Sequence, residues 1–168
     1  MVKKGGVVSE PRWLAIARGH LGVKEIPGIE TSPIIYRWLV KLKSAWTDDA
    51  TPWCGTFVAT CFSESGIPIA KHWYRARDWL NWGVKLDSPT LGCVVVYARD
   101  GGGHVGFVVG RDQNGNIMTL GGNQGDRVSI APFGPHRVLG YRWPAHEVVR
   151  LAPLPLLGSD GKLSINEA

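Results

Sequence analysis

Apolar residues in the first third of the chain recur three and four apart. Trp13, Leu14, Ala17 and Leu21 share one face, which predicts a helix over residues 11–21. Ser9, followed by Glu10-Pro11, offers a capping hydroxyl and a first-turn proline, and Gly22 can end the helix. Ile34, Ile35, Trp38, Leu39 and Leu42 predict a second helix over residues 34–42, after a loop marked by Pro27-Gly28 and Ser32-Pro33. A third helix is expected to begin at Trp53 or Cys54 and stop at Gly66-Ile67-Pro68. Cys54, Phe57, Val58, Cys61 and Phe62 lie along its apolar side. A short helical segment is expected over residues 75–82.

The period changes at Gly92. Residues 93–98 form a dense β-branched run, the pattern of a buried strand. Asp100-Gly101-Gly102-Gly103 reads as a tight turn into a strand over residues 104–109, and Asn114-Gly115 as a hairpin turn into residues 117–120. Residues 127–130 and 138–143 supply two further strands. Helices first and antiparallel strands second imply an α+β domain. The expected layout is an N-terminal arm (1–9), one domain (10–144) and a loosely packed C-terminal tail (145–168).

A length of 168 residues with 20% charged and 44% hydrophobic residues suits one globular domain. No run approaches the ~18 apolar residues of a membrane span. The first ten residues lack a signal-peptide pattern, so a protein acting outside the cytoplasm would need another system to deliver it. The formal charge of +5 is scattered, with short clusters at Lys3-Lys4, Lys41/Lys43 and Arg75/Arg77. A polyanionic partner such as a bacterial envelope or nucleic acid would be attracted, and charge alone does not choose. Cys54, Cys61 and Cys93 are an odd set and read as reduced thiols. The five histidines show no metal-ligand spacing.

Cys54 stands where a helix begins. Free N–H groups and the helix dipole favour a thiolate there, and the same N–H groups can hold an oxyanion. Cys61 and Cys93 lie on apolar faces and read as core residues. A cysteine nucleophile needs a base, and His104 follows three glycines at the head of a strand that reads as central. Gly103 permits close approach by a substrate backbone. The hairpin turn at Asn114-Gly115 brings the neighbourhood of Asn123 beside His104, so Asn123 is the expected residue orienting the imidazole. Gln124 is a loop residue able to line the cleft. Of Trp53, Trp73, Trp79 and Trp82, one or two are expected to touch ligand, with Trp53 and Trp73 chosen; Tyr74 is a candidate hydrogen-bonding partner for substrate.

Four ordered blocks carry a resemblance: Pro52-Trp53-Cys54-Gly55-Thr56-Phe57-Val58, Gly103-His104-Val105-Gly106-Phe107-Val108-Val109-Gly110, Leu120-Gly121-Gly122-Asn123-Gln124, and Leu139-Gly140-Tyr141-Arg142-Trp143-Pro144. Over about residues 10–144 the chain resembles the NlpC/P60 and CHAP peptidoglycan hydrolases, small phage-type members in particular. The resemblance implies a papain-like α+β core with N-terminal helices packed on an antiparallel sheet. It implies cleavage of a peptidoglycan amide with Cys54 as nucleophile, His104 as base and, CHAP-like, Asn123 as third residue. An Asp that often opens the first core strand in these families is replaced here by Cys93.

The expected activity is that of a cysteine peptidase or N-acetylmuramoyl-L-alanine amidase. It would work as a monomer on bacterial peptidoglycan, without cofactor or metal and without nucleic acid. Rival readings are an acyltransferase on the same site, a wall-binding module without turnover, and a nucleic-acid-binding domain. A phage lysin, a virion hydrolase and a bacterial effector all fit.

Overall fold

In a computed structural model of the chain, residues 10–167 are described; the arm, with Ser9 and the Lys3-Lys4 pair, lies outside them. Three α-helices come first: α1 (Arg12–Gly19), α2 (Pro33–Lys41) and α3 (Cys54–Glu64). A 3-10 helix (Ala76–Asn81) takes the place of the expected helical segment. Then come β1 (Val84–Leu86), β2 (Val94–Arg99), β3 (Gly102–Arg111), β4 (Ile117–Gly121), β5 (Ser129–Phe133) and, after a 3-10 turn at Pro135–Arg137, β6 (Val138–Trp143). The six strands form one sheet in the order β1-β6-β2-β3-β4-β5, every neighbouring pair antiparallel.

The α+β architecture expected from the sequence is present. The run Cys93–Tyr97 is wholly buried, as β-branched residues between two covering layers should be. One layer is α3, which packs on β3 and β4 and is itself backed by α1 and α2. Phe57 and Phe62 of α3 meet Phe107 of β3 edge-on, with ring centroids 6.1 and 5.5 Å apart. These contacts fix the start of α3 against the middle of the sheet.

Three details differ from expectation. β1 is only three residues long, a strand made by pairing with β6 and too short to carry a pattern of its own. β3 starts at Gly102, because Arg99 pairs with Gly102 and the turn is completed by Asp100 and Gly101, the latter at φ +77. β5 starts at Ser129, not at residue 127. Gln124 N–H closes a turn on the Arg127 carbonyl at 2.9 Å, and Val128 pairs with Val23.

The tail is hydrogen-bonded along its length, contrary to the loose packing expected. Arg111 and Leu157 share the edge where Arg111 N–H donates to Pro155 O (2.9 Å) and Leu157 N–H donates to Arg111 O (2.7 Å). Ser159 Oγ donates to Asp112 at 2.7 Å, Ser164 N–H to Pro132 O at 2.8 Å, and Gly125 N–H to Asn166 O at 2.8 Å. The last of these bring the end of the tail beside the turn that follows β4. Among the described residues no helix is long and apolar enough to cross a membrane.

Candidate active site

Cys54 is the first residue of α3, and Trp53 caps the helix without a side-chain hydrogen bond. The first intrahelical bond is Phe57 N–H to Trp53 O, so the N–H groups of Cys54, Gly55 and Thr56 have no partner within the helix. Close packing fixes this end. A Cβ on Gly55 would lie 2.1 Å from Trp73 O, so only glycine lets the helix start this near the 72–75 segment. Cys54 is 5% exposed. It reaches a cleft of about 530 Å³ with Trp46, Thr51, Tyr74, Arg75, Arg77, Arg99, Gly102 and Gly103 also on its walls.

His104 lies on β3 opposite Tyr97. Its ring is buried and runs parallel to Phe133, centroids 5.3 Å apart, with Tyr97 stacked beyond at 4.4 Å from Phe133. His104 Nε2 is 2.9 Å from Gln124 Oε1. The amide of Gln124 can face only one way. Its Nε2 donates to Thr119 O at 3.0 Å and to Ser129 O at 2.9 Å, both acceptors. Oε1 is therefore the atom facing the ring, and His104 Nε2 must carry the proton. Nδ1 is left as the basic nitrogen, and it is buried with no hydrogen-bond partner. Gly121 makes room for this pairing, since a Cβ there would sit 2.2 Å from Gln124 Oε1 and 3.2 Å from His104 Nε2.

The Arg99 charge bears on both the sulfur and the ring. Burial pushes the Cys54 thiol above its ordinary pKa, opposed by backbone groups of Val105 and Gly55 and by the Arg99 charge. Val105 is the residue after His104, so the sulfur lies against β3 at the histidine. Burial pushes His104 down to about 4; the Gln124 hydrogen bond and the Glu167 charge oppose this, and Arg99 and Arg137 reinforce it. Both groups therefore rest neutral at pH 7. Cys61 and Cys93 are fully buried free thiols with raised pKa, Cys93 to about 12, in keeping with core roles.

The third position differs from the expectation. Asn123 takes a left-handed backbone conformation (φ +59), and its side chain makes no hydrogen bond to the imidazole. Its Nδ2 donates to Glu167 O at 3.5 Å, and the ring's hydrogen bond goes to the next residue, Gln124. Gln124 is thus a partner of the base and not a cleft-lining loop residue. Of the other candidates, Tyr74 and Gly103 line the cleft. Trp53 does not: it is 1% exposed, donates to Glu25 Oε1 at 2.7 Å and packs within 6.2 Å of Trp38. As the cap of α3 it points beneath the helix, where it would meet a side chain on Gly122. Trp73 is also buried, edge-on to Tyr74. The aromatic residue on the cleft that pattern reading missed is Trp46, which meets Tyr74 edge-on at 5.4 Å. It stands alone in a polar loop, with no periodicity to flag it. Arg99 was also missed, though the Arg75/Arg77 cluster was visible as charge.

A thiol at a helix mouth, a tautomerically fixed histidine on an antiparallel sheet and a cleft reaching the sulfur define an α+β domain of the cysteine–histidine class. Residues 46–123 match the family model of the CHAP domain, a match consistent with the CHAP and NlpC/P60 superfamily. CHAP domains are generally hydrolases acting on peptidoglycan, and the match suggests a function of the peptidoglycan hydrolase or amidase type. The match contains Cys54, His104 and Asn123 and stops one residue before Gln124. No curated protein matches the chain significantly.

Proposed function

We propose that the chain cleaves an amide bond of bacterial peptidoglycan through an acyl-enzyme on Cys54. The observation that carries this reading is the direction of the Gln124 amide. It leaves the lone pair of His104 Nδ1 unengaged, on the strand against which the Cys54 sulfur lies. As the substrate carbonyl approaches, the Cys54 proton passes to Nδ1 and the thiolate adds to the carbonyl carbon. The N–H groups opening α3 stabilise the oxyanion. Collapse of the tetrahedral intermediate breaks the C–N bond, and His104 returns the proton to the departing amine. Water, deprotonated by the same nitrogen, then releases the acyl group as a carboxylate and restores the thiol. Gln124 holds the ring throughout. Both N-acetylmuramoyl-L-alanine and stem-peptide bonds suit this chemistry, and the site of action is the wall.

Mass spectrometry of purified peptidoglycan digested by wild type and by Cys54→Ala tests the reading. New amine and carboxylate termini with wild type only are expected. Equal products from both proteins would overturn it, and attachment of an added amine in place of water would make the protein an acyltransferase.

A further inference from the structure

The end of the tail is built into the site. Glu167 is 2% exposed, and its Oε1 accepts from Arg137 Nη1 at 2.8 Å. Its backbone carbonyl accepts from Arg99 Nη1 at 2.7 Å and from Asn123 Nδ2 at 3.5 Å. Arg137 also donates to Ser164 O (3.1 Å) and Ala98 O (3.1 Å), so it ties the tail to β2. Arg137, Ser164 and Glu167 lie outside the span that matches the CHAP model, whereas Ala98, Arg99 and Asn123 lie within it.

The charges around His104 explain what Glu167 does there. Cys54 faces the ring region from α3, Tyr97 and Arg99 from β2, Arg137 from the turn before β6, and Glu167 from the tail. Gln124 is neutral. Two guanidinium groups thus bear on a ring that must become a cation when it takes the Cys54 proton, and Glu167 is the one carboxylate among these groups. A buried cation between two others is strongly disfavoured unless a negative charge offsets them.

We propose that Glu167 is a positioning residue for the Cys54–His104 reaction: it seats Arg99 and Asn123 and supplies the counter-charge that lets His104 accept the thiol proton. Residues 164–167 of the tail are on this view a working part of the site. The proposal rests on the reading of Cys54 and His104 as nucleophile and base.

The test needs no wall substrate. Iodoacetamide alkylates a thiolate with loss of iodide, and Cys61 and Cys93 are sealed in the core. The labelling rate of Cys54, followed by peptide mass spectrometry from pH 5 to 9, therefore reports how readily the proton leaves for His104. Glu167→Gln should slow labelling at pH 7 by about tenfold, with Glu167→Asp restoring most of the rate. Melting curves establish that each variant is folded. If Glu167→Gln does not fold, Glu167→Asp against Arg137→Gln decides: the first should label near the wild-type rate and the second faster. Unchanged labelling in folded Glu167→Gln overturns the proposal, and so does faster labelling, which would make the tail an inhibitory strap. His104→Ala separates the two claims. If it leaves labelling unchanged, the nucleophile–base reading itself fails; if it slows labelling while Glu167→Gln does not, only the role of Glu167 fails.

Discussion

Replacing Gln124 with alanine removes three hydrogen bonds of 3.0 Å or shorter, the one from His104 Nε2 (2.9 Å) and those to Thr119 O (3.0 Å) and Ser129 O (2.9 Å), besides a longer one to Ser129 Oγ (3.4 Å). Each contributes about 0.5–1.5 kcal/mol net, so folding stability should fall by about 2–4 kcal/mol. The effect on rate has a separate origin. The imidazolium loses an acceptor for its Nε2 proton, and a hydrogen bond to a charged group is worth about 1.5–3 kcal/mol. At 1.36 kcal/mol per decade, kcat/KM should drop by about 10- to 150-fold. The neutral ring is also freed to place its proton on Nδ1, where it cannot act as base. Because the loss concerns the charged ring, kcat should carry it while KM changes little. Asn123→Ala should do less, since Asn123 makes no hydrogen bond to the ring. Release of soluble fragments from purified peptidoglycan measures both variants. A folded Gln124→Ala protein with wild-type kcat, or a larger kcat defect in Asn123→Ala, would refute the reasoning.

Gly121→Ala places a methyl 2.2 Å from Gln124 Oε1, and should mimic Gln124→Ala in rate while leaving the amide in place; a wild-type rate would show that the pairing tolerates the crowding. Tyr74→Ala removes a half-exposed cleft wall and is expected to raise KM with kcat little changed, read from saturation curves on solubilised wall fragments. His104, held near 4 in the folded state against about 6.5 unfolded, binds its proton more readily when unfolded. Its contribution to stability is therefore full above pH 6.5 and is lost as pH falls toward 4, by about 3 kcal/mol over that window. Urea midpoints for wild type should decline over this range more steeply than those of His104→Asn; parallel curves would contradict the shift. For the same reason the acid limb of kcat/KM should lie well below pH 6.

The sequence showed the elements that long-range burial dictates and hid those made by pairing. The three helices and the central strands carry periodic or continuous apolar patterns, and Cys54 and His104 stand at their ends, so their convergence could be reasoned from topology. β1 exists only through its partner β6, and the start of β5 was masked by Val128, whose backbone pairs with Val23. The choice between Asn123 and Gln124 turned on one left-handed residue, a conformation that the Gly121-Gly122 approach does not foretell. Trp53 looked available because it precedes the nucleophile, yet a helix cap can point beneath the helix as readily as into a groove. The tail showed no pattern of burial, because its apolar residues alternate with prolines. It is held mainly through backbone groups, which composition does not report.

The central claim is that a substrate acyl group passes through the Cys54 sulfur. Rapid acid quenching during turnover of peptidoglycan fragments, followed by proteolysis and mass spectrometry, reads this directly. A thioester adduct on the peptide containing Cys54, present in wild type and missing from Cys54→Ser digests, is the predicted result. Turnover with no adduct on that peptide, or an adduct on any other residue, would contradict it.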